Sequence, residues 1–150
     1  MAICLQSEHH AVVKSVVLSL AYGTVFAYIS MMKLLIVDDS ALIRRAIDKF
    51  LGKGDIDIVG QAGDGVKALE LFKEHGPDVV TLDITMPEMD GLTCLEEMMK
   101  VKANAKVLVI SALTKPGIAI DALDKGAKHF LKKPFTESEL LEAFEKVVNA

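Results

Sequence analysis

From residue 33 onward, apolar positions alternate between short continuous runs and longer stretches with helical spacing. The runs are Leu34 to Val37, Ile56 to Val59, Val79 to Ile84, Val107 to Ile110, and Phe130 to Leu131 with its flanks. Most are Val, Ile and Leu without strict alternation, the pattern of strands covered on both faces. Between them Leu42, Ile43, Ala46, Ile47 and Phe50 fall on one helical stripe, as do Val66, Leu69 and Phe72, and then Leu92, Leu95, Met98 and Met99. Ile118, Ala122 and Leu123 repeat the spacing, and Leu140, Leu141, Phe144, Val147 and Val148 form the clearest amphipathic stretch. Thr136, followed three residues later by Glu139, predicts a capping box in front of that last helix. Glycines and prolines punctuate the units at 52, 54, 63, 65, 76, 77, 87, 91 and 126. Five strand–helix units are too few for a closed eightfold barrel. The pattern therefore predicts an α/β fold with a doubly wound, open, five-stranded parallel sheet.

The first 31 residues do not follow this rhythm. Residues 15–32, SVVLSLAYGTVFAYISMM, form an uncharged stretch of 18 positions that only just reaches the length of a membrane span. It contains Gly23, Thr24 and three serines, and lacks an A-x-A type cleavage site, so it makes a poor secretory signal. Met32 directly precedes the first strand-like run. Residues 1–31 therefore read as an apolar extension from an upstream start, dispensable to the fold, with a membrane anchor or an added helix as the other readings. Residues 32–150 read as the domain, which must face the cytoplasm even if the extension is an anchor.

A chain of 150 residues with 51% hydrophobic content can bury one substantial core. The formal charge of -4 and the isoelectric point near 5.5 give no basic footprint for nucleic acid. Cys4 and Cys94 form no CxxC pair and have no neighbouring His, so neither zinc nor a disulfide framework is implied, and a reducing cytoplasm suits them. His9, His10, His75 and His129 form no cluster and read as ordinary surface or strand residues.

In open sheets of this kind ligands bind at the carboxyl ends of the strands. There the first run ends in Asp38 and Asp39, the third around Asp83, the fourth in Ser111, and the fifth in Lys132, Lys133 and Pro134. Three carboxylates brought together repel unless a cation or a proton relieves them. Oxygen-only ligation fits Mg²⁺, which commonly sits beside phosphate groups, so the strand ends point to phosphoryl chemistry. Taken singly, Asp83 also reads as a turn or capping residue, and Asp38 and Asp39 as solvated loop acids or a helix cap.

Five segments carry a resemblance. They are LLIVDDS at 34–40, DGxxAL at 64–69, VVTLDITMPEMDG at 79–91, VLVISA at 107–112 and GAKHFLKKPF at 126–135. In this order and spacing the chain resembles the CheY-like receiver domains of response regulators from about Lys33 to Val148. The resemblance implies a flavodoxin-like (βα)5 fold with strand order 2-1-3-4-5. It implies that Asp83 is the phosphoacceptor, taking phosphorus from a phosphohistidine on a sensor histidine kinase. Mg²⁺ would be held by Asp39 directly, by Asp38 largely through water, by Asp83, and by the backbone carbonyl of Thr85. Lys133, with Lys132 as the decoy, would pair with the phosphoryl oxygens, and the Lys133–Pro134 bond is a candidate cis peptide. Ser111 and Phe130 would be the switch, reshaping the face made by the fourth helix, fifth strand and fifth helix for a downstream protein. Phe130 lacks the phenolic hydroxyl that many motor-binding relatives carry, so a readout needing that hydrogen bond is in doubt. Lys115, Pro116 and Gly117 predict a loosely held entry to the fourth helix.

The chain ends at Ala150, right after the fifth helix, so no attached output domain is expected and chemotaxis-type signalling fits best. A phosphorelay intermediate or phosphate sink would use the same residues. A Mg²⁺-dependent phosphohydrolase is disfavoured because Ile84 and Thr85 follow Asp83 where a DxD pattern needs a second acid, leaving only weak self-dephosphorylation. Flavin binding is disfavoured because the first loop is acidic where a phosphate cradle should offer donors.

Overall fold

The computed structural model describes the backbone of residues 16–21 and 24–29 and the whole of residues 31–150. Cys4, Glu8, His9, His10 and Lys14 lie outside the described residues. Within the extension, β1 (Val16–Ala21) and β2 (Thr24–Ile29) pair antiparallel, from Val16 opposite Ile29 to Ala21 opposite Thr24. An added helix is thus not what these two segments form. They are rich in Val, Thr, Phe, Tyr and Ile, whose branched and aromatic side chains suit a pleated strand. Among the described residues no helix is long and apolar enough to cross a membrane.

The domain alternates strand and helix as expected: β3 (Met32–Val37), α1 (Ala41–Leu51), β4 (Ile56–Ala62), α2 (Gly65–His75), β5 (Val79–Leu82), α3 (Gly91–Val101), β6 (Lys106–Ser111), α4 (Ile118–Asp124), β7 (His129–Lys132) and α5 (Glu137–Val148). The five strands lie parallel in the order β4-β3-β5-β6-β7, which is the expected 2-1-3-4-5 arrangement counted from β3. Side chains alternate across the sheet with period two. Leu35, Val37, Val80, Leu82, Val107 and Val109 meet α2, α3 and α4 through residues such as Phe72, Leu95, Met98 and Ala122. Met32, Leu34, Ile36, Val79, Leu108 and Ile110 meet α1 and α5 through Ile47, Leu51, Leu140, Phe144 and Val147. Both faces are packed, which is why the strands read as continuous apolar runs.

The helical stripes were broader in sequence than in contact. Leu42 is 73% exposed, and Val66, Leu123 and Leu141 are also open to solvent. Leu42 and Val66 are each the second residue of a helix, where the chain has only just left the loop and has not yet reached the sheet. The helix starts are capped by Ser40, Asp64, Asp90 and Thr136, the last in the expected capping box with Glu139. By contrast α4 spans 7 residues, and its N-cap Gly117 offers no side-chain hydrogen bond. Cys94 is buried against α2, and burial pushes its thiol up to about 12, so it acts as an unreactive filler.

One core position is polar without reward. Thr81 is fully buried in β5, and among the described residues its Oγ1 has no hydrogen-bond partner. Thr81→Val should therefore stabilise the domain by about 1 kcal/mol. The check is a higher urea midpoint at unchanged slope; a lower midpoint would mean the hydroxyl is satisfied after all.

Candidate functional site

Strand order reverses around β3, so the crevice at the carboxyl ends of β3 and β5 is where such a sheet binds ligands. Val37 pairs with Leu82, which makes Asp38 and Asp83 the next residues on adjacent strands. Backbone hydrogen bonds hold both in place: Asp83 N donates to the Val37 carbonyl at 2.9 Å and Asp38 N to the Ala62 carbonyl at 3.0 Å. Two acids predicted from sequence are therefore fixed by the sheet itself, Asp38 at 1% exposure and Asp83 at 4%. Asp39 is exposed beside them, and carboxylate oxygens of the three lie within 4.8 Å of one another.

Lys133 enters from the far side of the sheet. Its backbone N donates to the Ser111 carbonyl at 2.9 Å, extending the β6–β7 pairing by one residue. Its Nζ lies 2.6 Å from Asp38 Oδ2 and 3.4 Å from Asp83 Oδ2. Lys132 is exposed, so strand alternation separates the inward lysine from its neighbour. The Lys133–Pro134 bond is cis, as expected.

Burial raises the pKa of Asp83 from its ordinary value to about 6, and the charge of Asp38, with a smaller push from Asp39, acts the same way. Lys133 pulls in the opposite direction without cancelling the rise. Three carboxylates against one touching ammonium leave the cluster short of positive charge. An oxygen-only donor set with two buried acids fits a hard divalent ion such as Mg²⁺. Beyond Asp83 the Ile84 carbonyl accepts from Gly91 N at 2.7 Å, whereas among the described residues no hydrogen bond occupies the Thr85 carbonyl.

Ser111 is fully buried at the end of β6, and its Oγ accepts from Leu113 N at 3.1 Å. It follows Val107 and Val109 on the face covered by α4, where half-buried Phe130 also packs. Sequence reasoning missed Arg44, whose Nη1 donates to the Asp38 backbone carbonyl at 2.6 Å. The available signal was a cation in the first turn of the helix after Asp-Asp-Ser, at the end where the helix dipole disfavours it.

Residues 34–145 match the response regulator receiver domain family. The chemotaxis protein CheY of Bacillus subtilis is 45% identical over 117 residues, covering 78% of this chain and 98% of that protein. CheY of Listeria monocytogenes is 47% identical over 116 residues, with 77% and 98% covered. A solved CheX–CheY–BeF3–Mg²⁺ complex from Borrelia burgdorferi superimposes with a TM-score of 0.75 at 41% identity, over 77% of this chain and 88% of that chain. The sheet order, the acids at its switch point and these likenesses agree, and the chain belongs to the response regulator receiver domain family as a CheY-like receiver of two-component signalling.

Proposed function

We propose that Asp83 accepts a phosphoryl group from a phosphohistidine of a sensor histidine kinase, within a Mg²⁺ site formed by Asp38, Asp39, Asp83 and the Thr85 carbonyl. The observation that carries this reading is the contact of one half-buried lysine, Lys133, with two buried carboxylates at a sheet switch point. In the transfer, an Asp83 oxygen bonds to phosphorus as the phosphorus–nitrogen bond to the imidazole breaks, and the electron pair leaves with the histidine. When bound, Mg²⁺ supplies charge that favours ionised Asp83 and neutralises phosphoryl oxygens. The protein's own part is positioning. The sheet fixes the attacking carboxylate, and Lys133 holds a point charge beside it where phosphoryl oxygens gather.

Ser111 links this event to the surface. Its oxygen already accepts from Leu113 N, which leaves its proton available to a phosphoryl oxygen. A shift of Ser111 towards the phosphate would pull on the segment leading into α4 and let Phe130 repack on the same face. The output surface is then α4-β7-α5, where Ile120 and Leu123 offer exposed apolar side chains to a downstream protein in a chemotaxis-type role. Residues 32–150 would do this work in the cytoplasm, with residues 1–31 as an extension dispensable to the fold.

The test is an incubation with an acyl phosphate and Mg²⁺, read by intact mass. One phosphoryl adduct is expected, none with a chelator, and none for Asp83→Asn. Lys133→Ala should still take the label but fail to shift the amide resonances of α4-β7-α5. A full adduct on Asp83→Asn would remove the assignment.

A further inference from the structure

We propose that Arg44 is a positioning residue for the divalent-cation site, acting through the backbone of Asp38. The inference rests on the Mg²⁺ reading above. All four polar atoms of Asp38 are held: its N by the Ala62 carbonyl, its Oδ1 by Ser40 N at 2.9 Å, its Oδ2 by Lys133, and its carbonyl by Arg44 at 2.6 Å. The carbonyl that Arg44 grips belongs to the planar peptide joining Asp38 to Asp39. Fixing that plane fixes the direction from which both carboxylates leave the chain, and one of them, Asp39, is exposed.

Two features mark this contact as more than a surface charge finding a partner. Arg44 sits in the first turn of α1, a turn with no acidic residue, where the helix dipole opposes a cation. It stays there half-buried because its side chain leans back over the helix start and meets the Asp38 carbonyl. Gly63 of the β4–α2 connection makes the room. A methyl group on it would stand 3.4 Å from Nη1, already in contact, so a longer side chain would crowd the guanidinium. The arginine thus ties α1 to the acidic loop, with the turn after β4 leaving space beside it.

Charge alone predicts the opposite outcome, which makes the idea testable. Removing a cation from the neighbourhood of a dication site should tighten Mg²⁺ binding, most of all at low salt. Loss of a group that orients the ligands should weaken it, typically by about tenfold or more. The experiment is calorimetric titration of Mg²⁺ into the full chain as wild type, Arg44→Met and Arg44→Lys, at low and high ionic strength. Urea midpoints are measured on the same samples. Ile47→Val, a core change in the same helix, reports what a loss of stability does by itself.

Arg44→Met is expected to bind about tenfold more weakly, with the deficit larger at high salt once the opposing charge effect is screened. Arg44→Lys should recover part of the loss, and Ile47→Val should lower the midpoint with Mg²⁺ affinity unchanged. An Arg44→Met protein that binds Mg²⁺ as tightly as wild type, or more tightly, overturns the inference while leaving the metal site standing. A wild type that takes up no Mg²⁺ removes the metal reading itself, and the role of Arg44 with it.

Discussion

Gly91→Ala should lower the unfolding free energy by about 3 kcal/mol or more, the largest loss expected from adding a single methyl group to this domain. The added carbon would stand 2.0 Å from the Asp83 carbonyl oxygen and 2.6 Å from the Ile84 Cα. Both are backbone atoms of the segment that carries Asp83, the proposed phosphoacceptor, so no side chain can swing aside to make room. Gly91 also opens α3 and donates its N–H to the Ile84 carbonyl at 2.7 Å, closing the loop between β5 and that helix. Relief therefore requires α3 to retreat or Asp83 to move, and either change should slow phosphoryl uptake as well. Gly76→Ala is the useful comparison. There φ is +53° with nothing within 4 Å of the added carbon, so only backbone strain of about 1 kcal/mol is expected. Urea unfolding of the two variants checks this, and a Gly91→Ala loss no greater than that of Gly76→Ala would show that the loop yields cheaply.

The contrast between these glycines also shows what the sequence could and could not convey. Both stand as breakers at the ends of periodic stretches, and the breaker role was legible at each. That one of them presses on the backbone of Asp83 depends on how α3 meets β5, which no local pattern encodes. The acids were legible for a different reason. An apolar run that ends in two adjacent aspartates has no packing explanation, and the parallel order then places Asp38 beside Asp83 by register alone. Lys133 needed the Lys-Pro context to be told from Lys132, and strand alternation leaves Lys132 exposed while Lys133 meets the two acids. Arg44 escaped because its partner is a backbone carbonyl, which carries no signature in side-chain chemistry. Thr81 reads as an ordinary strand residue, and only packing on both faces of the sheet makes its hydroxyl costly. Leu42 and Leu141 failed in the reverse sense, since a helical stripe says which way a side chain points and not whether anything lies opposite.

Asp83→Asn is expected to stabilise the metal-free domain at neutral pH by about 2 kcal/mol relative to wild type, and progressively less towards acid. The cause is the raised pKa of Asp83, from the ordinary 3.8 to about 6, set first by burial and then by Asp38. The folded state holds the proton more tightly than the unfolded chain does. This group's contribution is thus fully present below about pH 4 and is lost as pH rises through about 6. Two pKa units would give nearly 3 kcal/mol, and a site that opens to water delivers less, hence the smaller figure. Asparagine removes the titration while keeping the shape, so the stability difference between the two proteins should grow between roughly pH 4 and pH 7 and then level off. Carboxylates outside the Asp38–Asp39–Asp83 cluster titrate in both proteins and cancel in that difference. Adding Mg²⁺ should narrow the gap at neutral pH, because only the wild type offers the ion all three carboxylates. A stability difference that stays flat across this range would mean that Asp83 ionises like a solvated acid, and a gap untouched by Mg²⁺ would mean that the cluster does not draw the ion in.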